Sequence, residues 1–147
     1  MSQDGAPEIA YIGLGSNLGD REATLESAVR AIDKLPQTTV LKKSSWLINR
    51  AVDIEDGKDF LNGVIEIETC LSPRELLKRL LEFERNHGRE RNPSEAGYQN
   101  RILDLDILLF GNRRLNEEGL VIPHPRMEQR EFVRIPLEEL GVTLDSP

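Results

Sequence analysis

The sequence predicts an α+β domain in which a four-stranded antiparallel sheet carries two helices on one face. The first observation is the order of the apolar patterns along the chain, which follow one another as strand, helix, strand, strand, helix and strand. The second is that this order is the split β-α-β arrangement, in which both helices pack on the same side of the sheet. The third is that the last strand carries two carboxylates, so we expect a functional site on the open face.

The composition restricts the class of protein. A chain of 147 residues is long enough for one domain with a real core, and we expect a disordered leader over residues 1–8 and a single domain over 9–147. The net charge of −7 and the pI of about 4.9 argue against a general binder of nucleic acid or acidic membranes. Cys70 is the only cysteine, and no apolar run has the length of a membrane span or a signal segment, so we expect a cytoplasmic protein without disulfides. One cysteine and two distant histidines make a zinc site a poor expectation.

The first third of the chain predicts a strand, a turn and a helix. Residues 9–14 form a short apolar strand, and residues 13–20 predict a structural turn because they lack the Gly-Lys-Ser/Thr ending of a phosphate loop. Asp20 is the expected N-cap of a helix over 21–35, which Pro36 ends. The apolar residues of this helix recur at helical spacing and predict its core face: Leu25, Val29, Ile32 and Leu35.

Two strand patterns follow, separated by a polar stretch. The second strand is predicted over 39–48 and the third over 60–68, with residues 49–59 as a polar connection between them. Alternation places Phe60 and Asn62 on the same face of the third strand. Asn62 is either an edge-strand turn residue or an amide that pairs with a flat heterocycle stacked on Phe60, because an amide offers a donor and an acceptor in one plane.

The second helix has a clear start. Ser72 is the expected N-cap, Pro73 occupies the first helical position, and the helix is predicted to run to about residue 87, before Gly88. Glu84 shares the apolar stripe of this helix, because residues at intervals of four and seven return to the same face. It needs a partner there, an arginine or a ligand group, unless it lies at an exposed edge of the stripe.

A loop of about a dozen residues, 88–101, leads into the strand predicted over 103–110. Asp104 and Asp106 are two apart on this strand and therefore point the same way, while Leu105, Ile107 and Leu109 are expected to face the helices. Two interpretations stay open for the carboxylates. They hold magnesium for a polyphosphate that the neighbouring arginines bind, or they simply face water beside Arg101.

The C-terminal part predicts a small excursion and a last helix. A turn at 111–112 leads to a short excursion over 115–122, which we expect to form a C-terminal hairpin, and a short helix over 132–140 is expected to cover the sheet. His124 lies between two prolines, which hold it in place, and we expect it to stack or to donate a hydrogen bond rather than to act as a base.

Taken together, these segments closely resemble the 6-hydroxymethyl-7,8-dihydropterin pyrophosphokinase family of folate biosynthesis. Each motif is weak alone, but their joint order and spacing from Ala10 to Leu137 are specific. The segments that carry the resemblance are Gly-Leu-Gly-Ser-Asn-Leu-Gly-Asp at 13–20, Phe-Leu-Asn at 60–62, Glu84 with Gly-Arg-Glu-Arg at 88–91, Arg-Ile-Leu-Asp-Leu-Asp-Ile at 101–107 and Pro-His-Pro-Arg-Met at 123–127.

The resemblance implies a fold, an activity and a set of site residues. It implies a monomeric ferredoxin-like protein that moves a diphosphate from ATP to the pterin hydroxymethyl group and releases AMP. Asp104 and Asp106 would hold two Mg²⁺ ions, with Arg89 and Arg101 as catalytic arginines. The residues implied for ATP are Glu84, Arg91, Tyr98, Ile107, His124 and Arg130, and those implied for the pterin are Asn49, Val52, Phe60, Asn62 and Phe132.

The sequence departs from the family pattern at some of these places. Gly119 stands where the family has an adenine-side arginine, and Asn49-Arg50 replaces a Thr-Pro pair. These departures keep a second hypothesis open, a non-catalytic module of the same fold that binds a nucleotide or a metal. A third hypothesis treats the carboxylates and arginines as a solvated salt-bridge network without magnesium-dependent ATP binding.

Overall fold

The computed structural model describes residues 6–17, 20–49, 59–86, 103–125 and 127–143. Within them the chain forms strands, three α-helices and one short 3₁₀-helix. In chain order the elements are β1 (Glu8–Ser16), α1 (Arg21–Asp33), β2 (Thr38–Lys43), β3 (Leu47–Asn49), β4 (Phe60–Thr69), α2 (Pro73–Glu84), β5 (Asp104–Phe110), β6 (Leu115–Glu117), β7 (Leu120–Ile122), the 3₁₀-helix Met127–Gln129 and α3 (Glu131–Glu139).

The main sheet has the strand order β2-β4-β1-β5, and β3 adds to the edge of β4 beside β2. Every described pairing is antiparallel, and β6 and β7 form a separate hairpin. The predicted α+β class, with its antiparallel sheet and C-terminal hairpin, is confirmed.

The main core lies between the sheet and the two long helices. Leu25 and Ile32 of α1 and Leu76 and Leu80 of α2 are buried against sheet residues that include Ile65. Burial of such apolar side chains is the main favourable contribution to folding. Both helices therefore pack on one face, as predicted from the order of the elements.

The opposite face is only partly covered. A smaller apolar cluster there joins Val64 and Leu108 of the sheet to Val133, Leu137 and Leu140 at the C-terminal helix. The predicted last helix therefore exists as α3 and covers part of the open face. The part that it leaves uncovered contains the cavity described below.

The predicted helix starts are confirmed. Asp20 accepts a hydrogen bond from the Ala23 N–H at 3.1 Å, and Ser72 accepts one from the Glu75 N–H at 3.1 Å. Each side chain satisfies one of the N–H groups that have no acceptor within the first turn of a helix. The end predicted for α2 at 87–88 lies outside the described residues.

The predicted turn over 13–20 was wrong in its first half. Residues 13–16 continue β1, which pairs with β4 on one side and with β5 on the other. Backbone hydrogen bonds to the strands on both sides hold these residues extended. The glycine-rich local sequence gives no sign of these pairings with distant strands.

The second predicted strand is split into two. Residues 38–43 form β2 and residues 47–49 form β3, with a break over Ser44–Trp46. At the break, Ser44 uses its side chain as well as its backbone to pair with Val64. The ladder with β4 is therefore interrupted at a point where a serine hydroxyl replaces a backbone acceptor.

The expectation that Leu109 faces the helices was wrong. Tyr11 pairs with Leu109 and Ile12 pairs with Ile107, so Leu108 is an extra residue in β5. Such a bulge interrupts the alternation of side chains. Leu105 and Ile107 lie in the core beneath the helices as predicted, whereas Leu108 and Leu109 both pack on the open face.

No helix among the residues that the structure describes is both long enough and apolar enough to span a membrane.

Candidate active site

A cavity of about 250 Å³ lies on the face of the sheet opposite α1 and α2. The strands β1, β4 and β5 contribute its floor. Asn49 of β3 lies on one side, and Phe132 and Val133 of α3 lie on the other, with His124 and Arg130 completing the lining. Residues distant in sequence therefore meet above the centre of the sheet.

Two glycines form the central part of the floor. Gly13 and Gly15 are on the cavity side of β1, where they pair with Asp106 and Asp104 of β5. A Cβ atom at position 15 would lie 2.6 Å from the Asn62 Nδ2 atom, closer than such atoms approach in proteins. Glycine at this position therefore leaves room for the Asn62 side chain in the cavity.

Asp104 and Asp106 both line this cavity, so the prediction that they share the open face is confirmed. Both are partly exposed, and both have polar or charged contacts in the structure. Carboxylate oxygens are the ligands that Mg²⁺ prefers. Within the described ranges, no group of three or more acidic, histidine or cysteine side chains could hold a metal ion by itself. The donor atoms of the pair therefore suit Mg²⁺.

Glu84 supports the strand that carries these carboxylates. Its side chain is 3% exposed, and its Oε2 atom accepts a hydrogen bond from the backbone N–H of Leu105 at 2.7 Å. Leu105 lies between Asp104 and Asp106 at the outer edge of the sheet. The suggestion that Glu84 lies at an exposed stripe edge was wrong, because the edge N–H of β5 supplies the partner that the buried carboxylate requires.

Asn62 contributes an amide to the cavity. The residue is 9% exposed, and its Nδ2 atom donates to the Leu14 carbonyl at a long 3.4 Å. Its Oδ1 atom is buried and has no hydrogen-bond partner among the described residues. Buried amide oxygens are normally paired, so an acceptor left open beside the Phe60 ring indicates a place for a ligand donor.

His124 is held at the cavity edge by its backbone. Its N–H donates to the carbonyl of Leu108, the bulge residue of β5, at 2.9 Å. Burial lowers the pKa of the His124 side chain, and the positive charge of Arg130 lowers it further, while Asp104 opposes both effects. The lowered pKa favours the neutral imidazole, which is suited to hydrogen bonding.

The first turn of α3 and the residue before it form one wall. The guanidinium of Arg130 lies 5.9 Å from the centre of the Phe132 ring, within the range of a cation–π contact. Arg130 and Phe132 therefore present a charge and an aromatic face side by side. This pairing suits a site that takes both an anion and a flat ring.

A second cavity of about 210 Å³ shares Asp106 and His124 with the first. Its remaining lining is largely apolar and includes Ile107 and Leu105 of β5. Gly119, where the sequence departs from the family pattern, also lines it. The two cavities therefore meet at Asp106 and His124.

The structure brings together most of the predicted site residues that it describes. The predicted pterin residues in the first cavity are Asn49, Phe60, Asn62 and Phe132, and the predicted metal and ATP residues there are Asp104, Asp106, His124 and Arg130. Ile107 lines the second cavity, and Glu84 lines neither. Val52, Arg89, Arg91, Tyr98 and Arg101 lie outside the described residues.

Sequence reasoning missed six of the residues that line the first cavity: Gly13, Leu14, Gly15, Gly63, Leu108 and Val133. Gly13 and Gly15 carried a usable signal, because two glycines spaced by two in an apolar strand indicate a close approach on one face. Leu108 carried none, since only the register against β1 reveals the bulge.

Comparison with known proteins agrees with this geometry. The family model for 7,8-dihydro-6-hydroxymethylpterin-pyrophosphokinase (HPPK) matches residues 11–142. The 2-amino-4-hydroxy-6-hydroxymethyldihydropteridine pyrophosphokinase of Bacillus subtilis is 46% identical over 132 residues, which are 90% of this chain and 77% of that protein. The enzymes of the same name from Haemophilus influenzae and Pseudomonas aeruginosa are 42% and 37% identical, over 94% and 93% of this chain and 84% and 83% of their own lengths.

The family model covers all the described elements from β1 to α3 except the first three residues of β1, and it includes both cavities. The chain therefore belongs to the 7,8-dihydro-6-hydroxymethylpterin-pyrophosphokinase family.

Proposed function

We propose that the cavity on the open sheet face is where this chain carries out the reaction of its family, the transfer of a diphosphate from ATP to the hydroxymethyl group of 6-hydroxymethyl-7,8-dihydropterin. The observation that carries the proposal is that one cavity contains a carboxylate pair, an amide with an open acceptor and two aromatic rings. The first suits a magnesium-bound polyphosphate and the second suits a flat heterocycle.

The pterin occupies the side of the cavity nearest β4 and α3. The Asn62 amide offers an acceptor, Oδ1, that no described residue uses, and a pterin ring carries N–H donors in its plane. Phe60 and Phe132 line the same cavity and supply aromatic faces against which such a ring stacks. Asn49 and Val52 complete the proposed contacts to this substrate.

ATP occupies the side nearest β5. Asp104 and Asp106 would hold two Mg²⁺ ions together with phosphate oxygens, and His124 and Arg130 would contact the phosphates. The apolar second cavity, lined by Ile107, would take the base. Arg91 and Tyr98 are proposed to hold the nucleotide as well, and Glu84 acts on this side through its bond to the Leu105 N–H.

The reaction needs positioning and charge neutralisation rather than a protein nucleophile. The pterin hydroxymethyl oxygen forms a bond to the β-phosphorus of ATP and gives up its proton to solvent. The bond between that phosphorus and the oxygen bridging to the α-phosphorus breaks, and AMP leaves with that oxygen. Bound magnesium supplies neutralisation of the phosphate charge. The contribution of the chain is to hold the two substrates in line and to place Arg89 and Arg101 beside the transferred group.

The test is the release of AMP from ATP in the presence of the hydroxymethyl pterin and magnesium. We expect Asp106→Asn to lower kcat by at least about 100-fold, because one oxygen ligand of the metal is replaced by a neutral amide. Glu138→Gln is the control and should leave kcat unchanged, because the Glu138 side chain is exposed and is paired with Arg134.

Two results would contradict the proposal. One is full activity of the Asp106→Asn variant, or of the wild-type protein with excess EDTA. The other is magnesium-dependent ATP binding by the wild-type protein without any AMP release, which would favour a binding module of the same fold.

A further inference from the structure

The break between β2 and β3 forms hydrogen bonds to helices on both faces of the sheet. It consists of Ser44, Ser45 and Trp46, and each residue makes a different polar contact. Ser44 remains in the sheet, where its N–H donates to the Val64 carbonyl and its Oγ accepts from the Val64 N–H, both at 2.9 Å. The break is therefore an ordered connection.

Ser45 is bonded to the end of α3. The carboxylate of Glu139 accepts from the Ser45 N–H at 3.0 and 3.1 Å through its two oxygens, and from the Ser45 Oγ at 2.8 Å. Hydrogen bonds to an ionised carboxylate are stronger than those between neutral groups. Glu139 is the last residue of α3, so the helix is attached to the break at its C-terminal end.

Trp46 is bonded to the opposite side. Its Nε1 atom donates to the Glu26 Oε2 atom of α1 at 3.0 Å, and Lys43 donates to the same carboxylate. The ring packs where a side chain at Gly63 would be, so Gly63 is glycine because the Trp46 ring occupies that space. The break is thus held from α1 on one face and from α3 on the other.

These contacts matter for the cavity because the break leads directly into β3, which carries one of the lining residues. β3 is three residues long, and β4 is its one partner among the strands that the structure describes, so its own ladder holds it weakly. It carries Asn49, which lines the cavity opposite Phe132 and Val133 of α3. The helix also contacts β3 directly. The distance between these two walls therefore depends on how β3 and α3 are joined.

We propose that Ser45 and Glu139 are positioning residues, whose contact sets β3 and Asn49 against the wall formed by α3 and so defines the width of the pterin side of the cavity. Neither residue lines the cavity, and both act through others. The assignment of this side of the cavity to a pterin rests on the proposed function. The claim that Glu139 holds residues 45–49 in place does not depend on the proposed function.

The hydrogen bonds between Ser45 and Glu139 are exposed to solvent. Their effect on the position of β3 can therefore be measured without a large loss of overall stability. Glu139 is exposed, so the loss of its bonds to Ser45 is expected to lower the free energy of unfolding only slightly. Leu137 and Leu140 pack in the apolar cluster on the sheet, and Lys42 donates to the Leu140 carbonyl at 3.4 Å, so α3 keeps other contacts with the sheet when Glu139 is changed. A variant at position 139 should therefore remain folded while β3 becomes free to shift.

The experiment compares Glu139→Ala with Glu138→Ala. The control removes a neighbouring exposed glutamate of the same helix, which contacts Arg134 but not the break. We expect Glu139→Ala to raise the KM for the pterin about fivefold, the equivalent of one ordinary hydrogen bond, with the KM for ATP and kcat changed less than about twofold. Glu139→Gln keeps an acceptor for the Ser45 N–H and should recover most of the pterin affinity.

A second measurement does not depend on activity. Hydrogen exchange of the backbone amides of residues 45–49 should be faster in Glu139→Ala than in the wild type and unchanged in Glu138→Ala. Ser45→Ala, which keeps the backbone donor and loses the hydroxyl, should give an intermediate rate. Trp46 is the only tryptophan of the chain, so its emission reports the same segment.

The outcomes are distinguishable from failure of the proposed function. Absence of AMP release from the wild-type protein would refute the function, whereas the exchange rates would still decide the positioning contact. Unchanged exchange over 45–49 in Glu139→Ala would overturn the inference. Equal rises in the KM for the pterin and the KM for ATP would also overturn the inference. A loss of thermal stability with both KM values unchanged would overturn it as well.

Discussion

Gly15 and Asn62 face each other across the β1–β4 pair, and each depends on the other. The amide of Asn62 occupies space that any larger residue at position 15 would take, since a Cβ there would lie 2.6 Å from Nδ2. The open acceptor Oδ1 is therefore placed by the absence of a side chain on the neighbouring strand. Small changes at this pair should alter binding before they alter the fold.

We expect Gly15→Ala to raise the KM for the pterin at least about tenfold, because the added methyl group displaces the amide that would bind the ring. Steady-state kinetics with the pterin varied at saturating ATP measure this effect. Gly13→Ala is the matched comparison, since the nearest atoms to its Cβ would be those of the Leu108 side chain at an ordinary 3.5 Å. Equal effects of the two variants would show that displacement of Asn62 is not the cause.

Among the secondary structure elements, β5 is the one whose details matter most for the site. It is an edge strand with a bulge at Leu108, and it is held at its start by Glu84 of α2 and near its bulge by the His124 N–H. The first contact lies between the two carboxylates, and the second lies beside the cavity. Both involve backbone groups of an edge strand, which would otherwise have no protein partner.

Removal of the Glu84 side chain should be costly. We expect Glu84→Ala to lower the free energy of unfolding by about 1–3 kcal/mol, because the Leu105 N–H would be left buried without its acceptor. Denaturation by urea measures the change. The magnesium concentration required for half-maximal activity should also rise, since the strand between Asp104 and Asp106 loses its support.

Glu82→Ala, a change at a less buried position of the same helix, is the control and should stay within about 0.5 kcal/mol of the wild type. A Glu84→Ala variant with wild-type stability and magnesium dependence would contradict the supporting role.

For the molecule as a whole, one polar network joins the sheet to its C-terminal cover. Tyr11 of β1 donates to Glu66 of β4 at 2.8 Å, Lys42 of β2 lies 4.0 Å from the same carboxylate, and Lys42 also donates to the Leu140 carbonyl after α3. Glu66 is 9% exposed, so its charge requires these partners. The network therefore secures the face of the sheet that the main core does not stabilise.

This network predicts how stability changes at alkaline pH. Burial, and then the hydrogen bond and negative charge of Glu66, raise the pKa of Tyr11 from 10.0 to about 12. Because the pKa is higher in the folded than in the unfolded state, the stabilisation is fully present below pH 10 and is lost as the pH rises through about 12. Tyr11→Phe should lack this loss.

Thermal denaturation of both proteins between pH 9 and pH 12 measures the difference, and absorbance at 295 nm follows the ionisation of the phenol. Parallel stability curves for the wild type and Tyr11→Phe would contradict the prediction.

Local patterns were enough for the element types, the helix starts and the shared face of the carboxylate pair. Period-two and helical spacings are properties of neighbouring residues, and Asp20 and Ser72 cap their helices through bonds within three residues. Asp104 and Asp106 share a face because no bulge falls between them, so alternation over two residues holds.

Contacts between distant segments decided the rest. Residues 13–16 are strand because β4 and β5 pair with them, Leu109 leaves the core because β5 bulges against β1, and Glu84 is buried because an edge N–H lies within reach. Each result depends on which backbone groups remain unpaired after the sheet assembles. That is a property of the assembled strands, and no window of neighbouring residues contains it.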